Sequence, residues 1–204
     1  MTIGALAVCA AWAPFADPDQ LGGLAAVALG ILGYSGVQLA FALGWIGGAV
    51  PAGGQVRVRR VRQQHRLVSR SWLEIEPVAE SGGGTRWVPV FFDPALVLHT
   101  ERVVPAADAL GSADGRLFPS GRVRRAEPPG QLVDNPSRPD PDAVARAGLW
   151  RRLVLDAQSA VAAPFAALFW VYVAGGGLAA FAAAGSVGAV AALWLAAVSG
   201  SDPS

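Results

Sequence analysis

"VRVRRVRQQHR", Val56 to Arg66, holds five arginines, one histidine and no acid. Alone, such a stretch reads as a grip for nucleic acid or for lipid headgroups. Its setting decides otherwise. Only five residues separate it from Leu21–Val50, a run with no charged side chain. About 20 apolar residues in a helix cross the ~30 Å hydrocarbon core of a bilayer. A basic cluster directly after such a run flags topology and holds the next part of the chain on the cytoplasmic side. The expectation is a membrane protein whose cytoplasmic domain begins near residue 51.

Composition agrees. The chain is 53% hydrophobic and only 15% charged, where soluble domains average about a quarter charged. The apolar residues gather in 1–50 and 153–198, around a polar middle. All 16 basic residues are arginines between Arg57 and Arg152, and the net charge of +1 gives no general affinity for polyanions. Cys9 is the sole cysteine. Neither a disulfide framework nor a cysteine metal site forms within one chain, and Cys9 is expected to pack as a small hydrophobe.

Two further spans come after the polar middle, Val154–Val173 and Leu178–Val198. Pro164 is predicted to kink the first of them. Only "AGGG" separates the pair, which makes a tight hairpin. Residues 1–14 give about 21 Å of helix, short of the core thickness. They are expected as a short span paired with Leu21–Val50; an interfacial or re-entrant arm and the remnant of a longer helix are the alternatives. Arg57, Arg59, Arg60, Arg62 and Arg66 come just after the second helix, and Arg146, Arg151 and Arg152 precede the third. The loops "FADPDQ" and "AGGG" carry no base. The positive-inside rule then puts the central domain in the cytoplasm of a multi-pass plasma-membrane protein. The predicted fold is α+β: four transmembrane helices as two hairpins, with a small cytoplasmic β-barrel or β-sandwich inserted between them. The boundaries are 1–50 for the first hairpin, 51–133 for the β-domain, 134–152 for a linker and juxtamembrane amphipathic helix, and 153–204 for the second hairpin.

Within the bilayer, Gly36, Ala40, Gly44 and Gly48 recur every fourth residue and predict a face for close helix packing. The like stripe Ala180, Ala184, Gly188, Ala192 and Ala196 lies in a helix too alanine-rich to interpret. Tyr34, Ser35 and Gln38 form the one polar cluster of the second helix. Asp156 is the one charged residue of the spans. It sits four residues after Arg152, where the two can meet on a helix, so an interfacial ion pair is expected rather than a transport pathway.

The middle reads as about five short strands with regular turn signals. Val56 and Val58 alternate as in a strand, while Arg59, Arg62, Arg66 and Arg70 also share a helical face; the strand is preferred. "SRSWLEIEP" puts Ser71, Leu73 and Ile75 on one face and Trp72, Glu74 and Glu76 on the other. "RWVPVFF" is a strand demoted towards an edge by Pro89. "LVLHTERVV" is a third, and "RLFPSGRVRRAEP" one or two more. "QLVDNPSRPDPDA" reads as a linker, with Asp140 capping a short helix.

Catalytic motifs are lacking: there is no HExxH, CxxC or Walker sequence. Asp93, His99 and Ser120 contain the residue types of a hydrolase triad, but Ser120 sits in "PSG" and not in a nucleophile elbow. Asp93 before Pro94 is a turn residue, and His99 is a surface or packed residue of a strand. Glu74 and Glu76 read as two acids on a solvated face. Arg122, Arg124 and Arg125 join the opening stretch as a basic surface, and an anionic leaflet attracts such residues by about 1 kcal/mol each. Grips on single-stranded nucleic acid interleave aromatics with basic residues, and Val56–Arg66 has none. No cofactor, metal or nucleic acid is expected. The expected partners are the lipid bilayer and a membrane protein or a second copy of the chain.

The layout, with "WVPVFFDPALV", "EPPGQLVDNPSRPD", "RRLVLDAQS" and "GSDPS", resembles small arginine-rich, Ala/Gly-rich integral membrane proteins of actinobacteria. That resemblance is one of composition and layout and implies no catalytic residue. A β-domain on a helical anchor, with "LFPSGRV", is also similar to the NfeD-like arrangement, although there the barrel comes after all the helices. The functional expectation is a non-enzymatic accessory or scaffold protein whose β-domain recruits or senses a partner. The alternative is a membrane-anchored module that binds anionic headgroups or a soluble effector through Arg57–Arg66 and Arg122–Arg125.

Overall fold

The structure, a computed structural model, describes residues 1–48, 53–65, 68–78, 84–112, 115–134, 142, 144 and 147–203. The chain forms two compact units. One is Met1–Val37 with Leu153–Val198; the other is Gln38–Arg152 with Ser199–Ser204.

The first unit is helical. Helix α1 (Thr2–Trp12) ends in a 3-10 turn, Ala13–Phe15, and α2 runs from Pro18 to Ala42. Helix α3 (Leu149–Ala157) leads through a 3-10 segment, Gln158–Ala162, into α4 (Ala163–Ala174), and α5 is Gly177–Val198. Three stretches are long and apolar enough to cross a membrane: Pro18–Ala42, Leu149–Ala174 and Gly177–Val198. Thr2–Phe15 is apolar and helical but shorter. Pro164 lies in the first turn of α4. It has no N–H and crowds the carbonyl four residues back, and the helix changes from 3-10 to α just before it.

Helix α2 ends well short of the expected Val50. Beyond Ala42 the backbone enters the left-handed region at Gly44, Gly47 and Gly48 (φ 74°, 115° and 97°), which glycine adopts without steric penalty and which ends a helix. The unit packs Ala5 and Cys9 of α1 against Ile31 of α2 and Val187 and Trp194 of α5. Its polar groups meet one another. Trp194 Nε1 donates to Thr2 Oγ1 (3.2 Å) and Ser35 Oγ (3.3 Å), these two hydroxyls are 3.1 Å apart, and Trp12 Nε1 donates to Ser186 Oγ at 2.7 Å. A donor left unmatched in hydrocarbon costs several kcal/mol, so the tryptophans and hydroxyls of these helices belong together. Tyr34 lies edge-on to Trp194. Helices α4 and α5 approach through small residues: a Cβ added at Gly188 would sit 3.6 Å from Ala163, and one at Gly185 3.6 Å from Ala167.

The second unit is built on an antiparallel sheet. Strands β1 (Gln55–His65) and β2 (Val68–Pro77) pair along their length, from Val56↔Pro77 to His65↔Val68. Strand β3 (Arg86–Val90) covers Ser71–Ile75 on the far side of β2. The other edge of β1 is shared: β4 (Arg102–Pro105) takes Gln55–Val58, and β7 (Gln131–Asp134) takes Val61–Gln64. Strands β5 (Gly111–Ser112) and β6 (Gly115–Arg116) form a separate small ladder. One face of the sheet carries the core of Val56, Val58, Leu73, Ile75, Val88 and Val90, closed by Leu96 and Leu117. The opposite face holds Val61, Trp72 and Trp87, with Leu132 packed on them.

Several expectations change here. Among the described residues the strand path is open, from β3 to β4, rather than a closed barrel. "LVLHT" is not strand. Asp93 accepts the amide of Ala95 (2.8 Å) and caps a 3-10 helix, Pro94–Leu98, with His99 at its end. Pro94 at the first position and the aspartate cap outweigh the β-propensity of the valine and leucines. Gln131–Asp134, expected as linker, is strand because β1 offers it an unpaired edge. Residues 117–125 make bridges to β3 (Val90↔Pro119, Trp87↔Arg124) instead of a strand of their own. Pro89 does lie on the sheet-edge strand. Asp140 and Arg146 lie outside the described residues.

Candidate functional site

The opening basic stretch becomes β1, and period two sorts its arginines. Arg57 and Arg59 point to one face, where the register sets them opposite Glu76 and Glu74. Arg59 Nη2 and Nε both donate to Glu74 Oε2 (2.6 and 2.9 Å), and Arg57 meets Glu76 at 3.4 Å and Glu101 at 3.1 Å. Glu74 and Glu76 are thus cross-strand partners of arginines, and these two arginines do not present bare charge. Arg62 is half-buried, and Arg66 lies outside the described residues.

Arg60 does something else. It shares parity with Val56 and Val58 and so points into the core, with its side chain 2% exposed. It is not a surface contact for lipid, which corrects the expectation for that residue. Its Nη2 donates to Asp202 Oδ2 at 2.6 Å, and the Asp202 side chain is fully buried. Ser71 Oγ donates to the same oxygen at 2.5 Å. The guanidinium lies 5.9 Å from the centre of the Phe92 ring, within cation–π range. Asp202 is delivered by backbone pairing. Its N–H donates to the Ser69 carbonyl at 2.9 Å, and Ser201 bridges Arg70. Strand β3 ends at Val90 opposite Ser71, so the edge of β2 beyond it is free for residues 201–202. The segment after α5 continues β3's line along the sheet.

The sequence reading missed Asp202. A lone acid in "GSDPS" carries no signal of its own. The signal lay in β1, where alternation already placed an arginine on the valine face, and a buried charge requires an opposite charge.

Beyond Arg60 the sheet end is closed by Trp72, whose Nε1 donates to Gln63 Oε1 at 2.7 Å, while Gln63 Nε2 donates to the Pro129 carbonyl. Arg102 donates to the Gly111 carbonyl; burial lowers its pKa, and Asp108 opposes that shift. His99 is held below its ordinary pKa, first by burial and then by the charges of Arg102 and Arg60. Arg122, Arg124 and Arg125 are exposed, on the segment that bridges β3. An apolar cavity of about 420 Å³ lies in this unit between Phe41, Ile46, Val88, Leu110 and Val123, and among the described residues Arg116 is its only charged lining residue. Of the predicted packing stripe, Gly36 and Ala40 are on α2, while Gly44 and Gly48 lie beyond its end. A Cβ at Gly36 would meet nothing within 4 Å.

No protein family, curated protein or solved structure matches the chain.

Proposed function

We propose that the protein is a non-enzymatic scaffold of the plasma membrane. In this reading four spans in two hairpins, the shorter Thr2–Phe15 among them, hold a cytoplasmic β-domain that recruits or senses a membrane partner or a second copy. The carrying observation is the Arg60–Asp202 pair. Residue 60 comes after α2, residue 202 after α5, and both are built into one folded domain. A chain that leaves this domain into α3 and rejoins it after α5 crosses the bilayer an even number of times in between, as a hairpin requires. The domain is then tethered by three chain connections. The arginines flanking α2 and α3 put it inside by the positive-inside rule. Tethering of this kind suits presentation of a surface at the membrane.

Single-cysteine labelling on a Cys9→Ala background tests it. Asp17→Cys is expected to react with an impermeant thiol reagent in whole cells, and Ala126→Cys and Ser199→Cys only after permeabilisation. Opposite accessibility of residues 126 and 199 refutes the hairpin.

A second reading rests on Arg122, Arg124 and Arg125, for which no acid partner is seen among the described residues, while Arg57, Arg59 and Arg60 are engaged by acids. Such a cluster attracts anionic headgroups. The chain held in phosphatidylcholine nanodiscs is then expected to capture phosphatidylserine vesicles and to lose that capture when the three become glutamine. Unchanged capture refutes this reading and leaves the scaffold.

A further inference from the structure

We propose that the edge of β2 beyond β3 and the buried Arg60 form a binding slot for an extended, aspartate-bearing segment. In this chain the slot is filled in cis by residues 199–203, and the same segment of a second copy exchanges into it. The proposal deepens the scaffold reading, and it is tested without any measurement of topology.

Three observations carry it. The first is geometric. Strand β2 outruns β3, leaving the backbone of Ser69 and Arg70 open on that side, and the incoming segment pairs there through Ser201 and Asp202. Strand addition to an open edge is a recurring mode of peptide recognition, in which the main chain supplies affinity and a side-chain pocket supplies specificity.

The second is chemical. The pocket at the end of that edge is a guanidinium buried beside the Ser71 hydroxyl, both directed at one carboxylate oxygen. Replacement of a buried ion pair by apolar residues is often neutral or stabilising, so such a pair is better explained by selection of a partner than by stability. An aspartate satisfies it; asparagine brings no charge.

The third is fit. The Oγ atoms of Ser69, Ser120 and Ser201 around the segment are buried and find no hydrogen-bond partner among the described residues. A Cβ at Gly200 (φ 80°) would fall 3.2 Å from the Ser120 side chain. The segment is thus closely seated against the wall of the slot at Ser120. The one sequence shown to fit is present on every copy, and exchange of an identical element between copies is a low-cost route to association.

The test co-expresses two differently tagged full-length chains lacking Cys9, one with Arg70→Cys and one with Ser201→Cys. Residues 70 and 201 are bridge partners. A disulfide-linked heterodimer is expected under mild oxidation, and its yield is expected to fall about ten-fold when the Ser201→Cys chain also carries Asp202→Asn, the size of effect that a ~1.4 kcal/mol preference for the carboxylate produces. The single chain carrying both cysteines is the control. If it closes its own disulfide while no heterodimer forms, the segment is fixed in cis and exchange is refuted. A heterodimer indifferent to Asp202→Asn refutes the carboxylate's role. If Arg70→Cys does not fold, Ser69→Cys serves in its place and the same outcomes decide.

Discussion

Asp202→Ala removes one partner of a fully buried charge pair. Arg60 is 2% exposed in a pocket lined by Ser71 and Phe92. Breaking such a pair from one side costs about 3–5 kcal/mol, because the remaining charge stays desolvated. The Ser71 hydroxyl loses its acceptor as well. Against a typical domain stability of about 5–15 kcal/mol, this is a large fraction. The assay is pulse proteolysis of the intact chain in mild detergent across a urea series, which reads cleavage of the β-domain. The double variant Arg60→Met/Asp202→Leu removes both charges at roughly conserved volume and is expected to be about neutral or more stable. Two results refute the reasoning. One is an Asp202→Ala loss within the ~0.5 kcal/mol of an ordinary surface change; the other is a double variant as unstable as the single.

Three further outcomes are expected. Gly130→Ala should cost more than about 1 kcal/mol in the same assay, because φ is 104° and the new Cβ would lie 2.6 Å from the Gln64 carbonyl and 2.9 Å from His65 Cβ. Arg59→Gln should cost no more than about 1 kcal/mol, since its pair with Glu74 is partly in solvent at 40% exposure of the arginine; a loss equal to that of Asp202→Ala contradicts the distinction between the two pairs. His99 has its pKa depressed in the fold, so its contribution is fully present above the ordinary value of about 6.5 and is lost as pH falls from there through the folded value. Urea midpoints measured from pH 7.5 to 5 should fall, and His99→Gln should flatten that slope.

The parts legible in the sequence were those governed by local pattern. An uncharged run marks a helix that suits a bilayer, and period two in 56–65 and 71–76 revealed the strands and their faces, with Glu74 and Glu76 on the face opposite Leu73 and Ile75. Asp93-Pro94 marked a turn. What was not legible depended on competition between near-equal local options or on contacts far apart in sequence. "LVLH" has the composition of a strand, but the capped Pro94 start made it 3-10. Gly44 and Gly48 look like part of a packing stripe on paper and, with Gly47, are the end of the helix in space. The acid that neutralises Arg60 is 142 residues away, beyond any window of periodicity, although the need for one could be read at Arg60 itself.

That separation also sets a timetable. Residue 60 leaves the ribosome long before residue 202, and at ~5–20 residues per second the separation of 142 residues takes roughly 7–30 s to make. During that interval β1 and β2 can pair, but the guanidinium lacks its acid and the sheet edge its last two residues. Completion of the β-domain waits for α5 to be synthesised. A chain stalled before residue 202 would carry an unfinished β2 edge and a guanidinium without the Asp202 carboxylate.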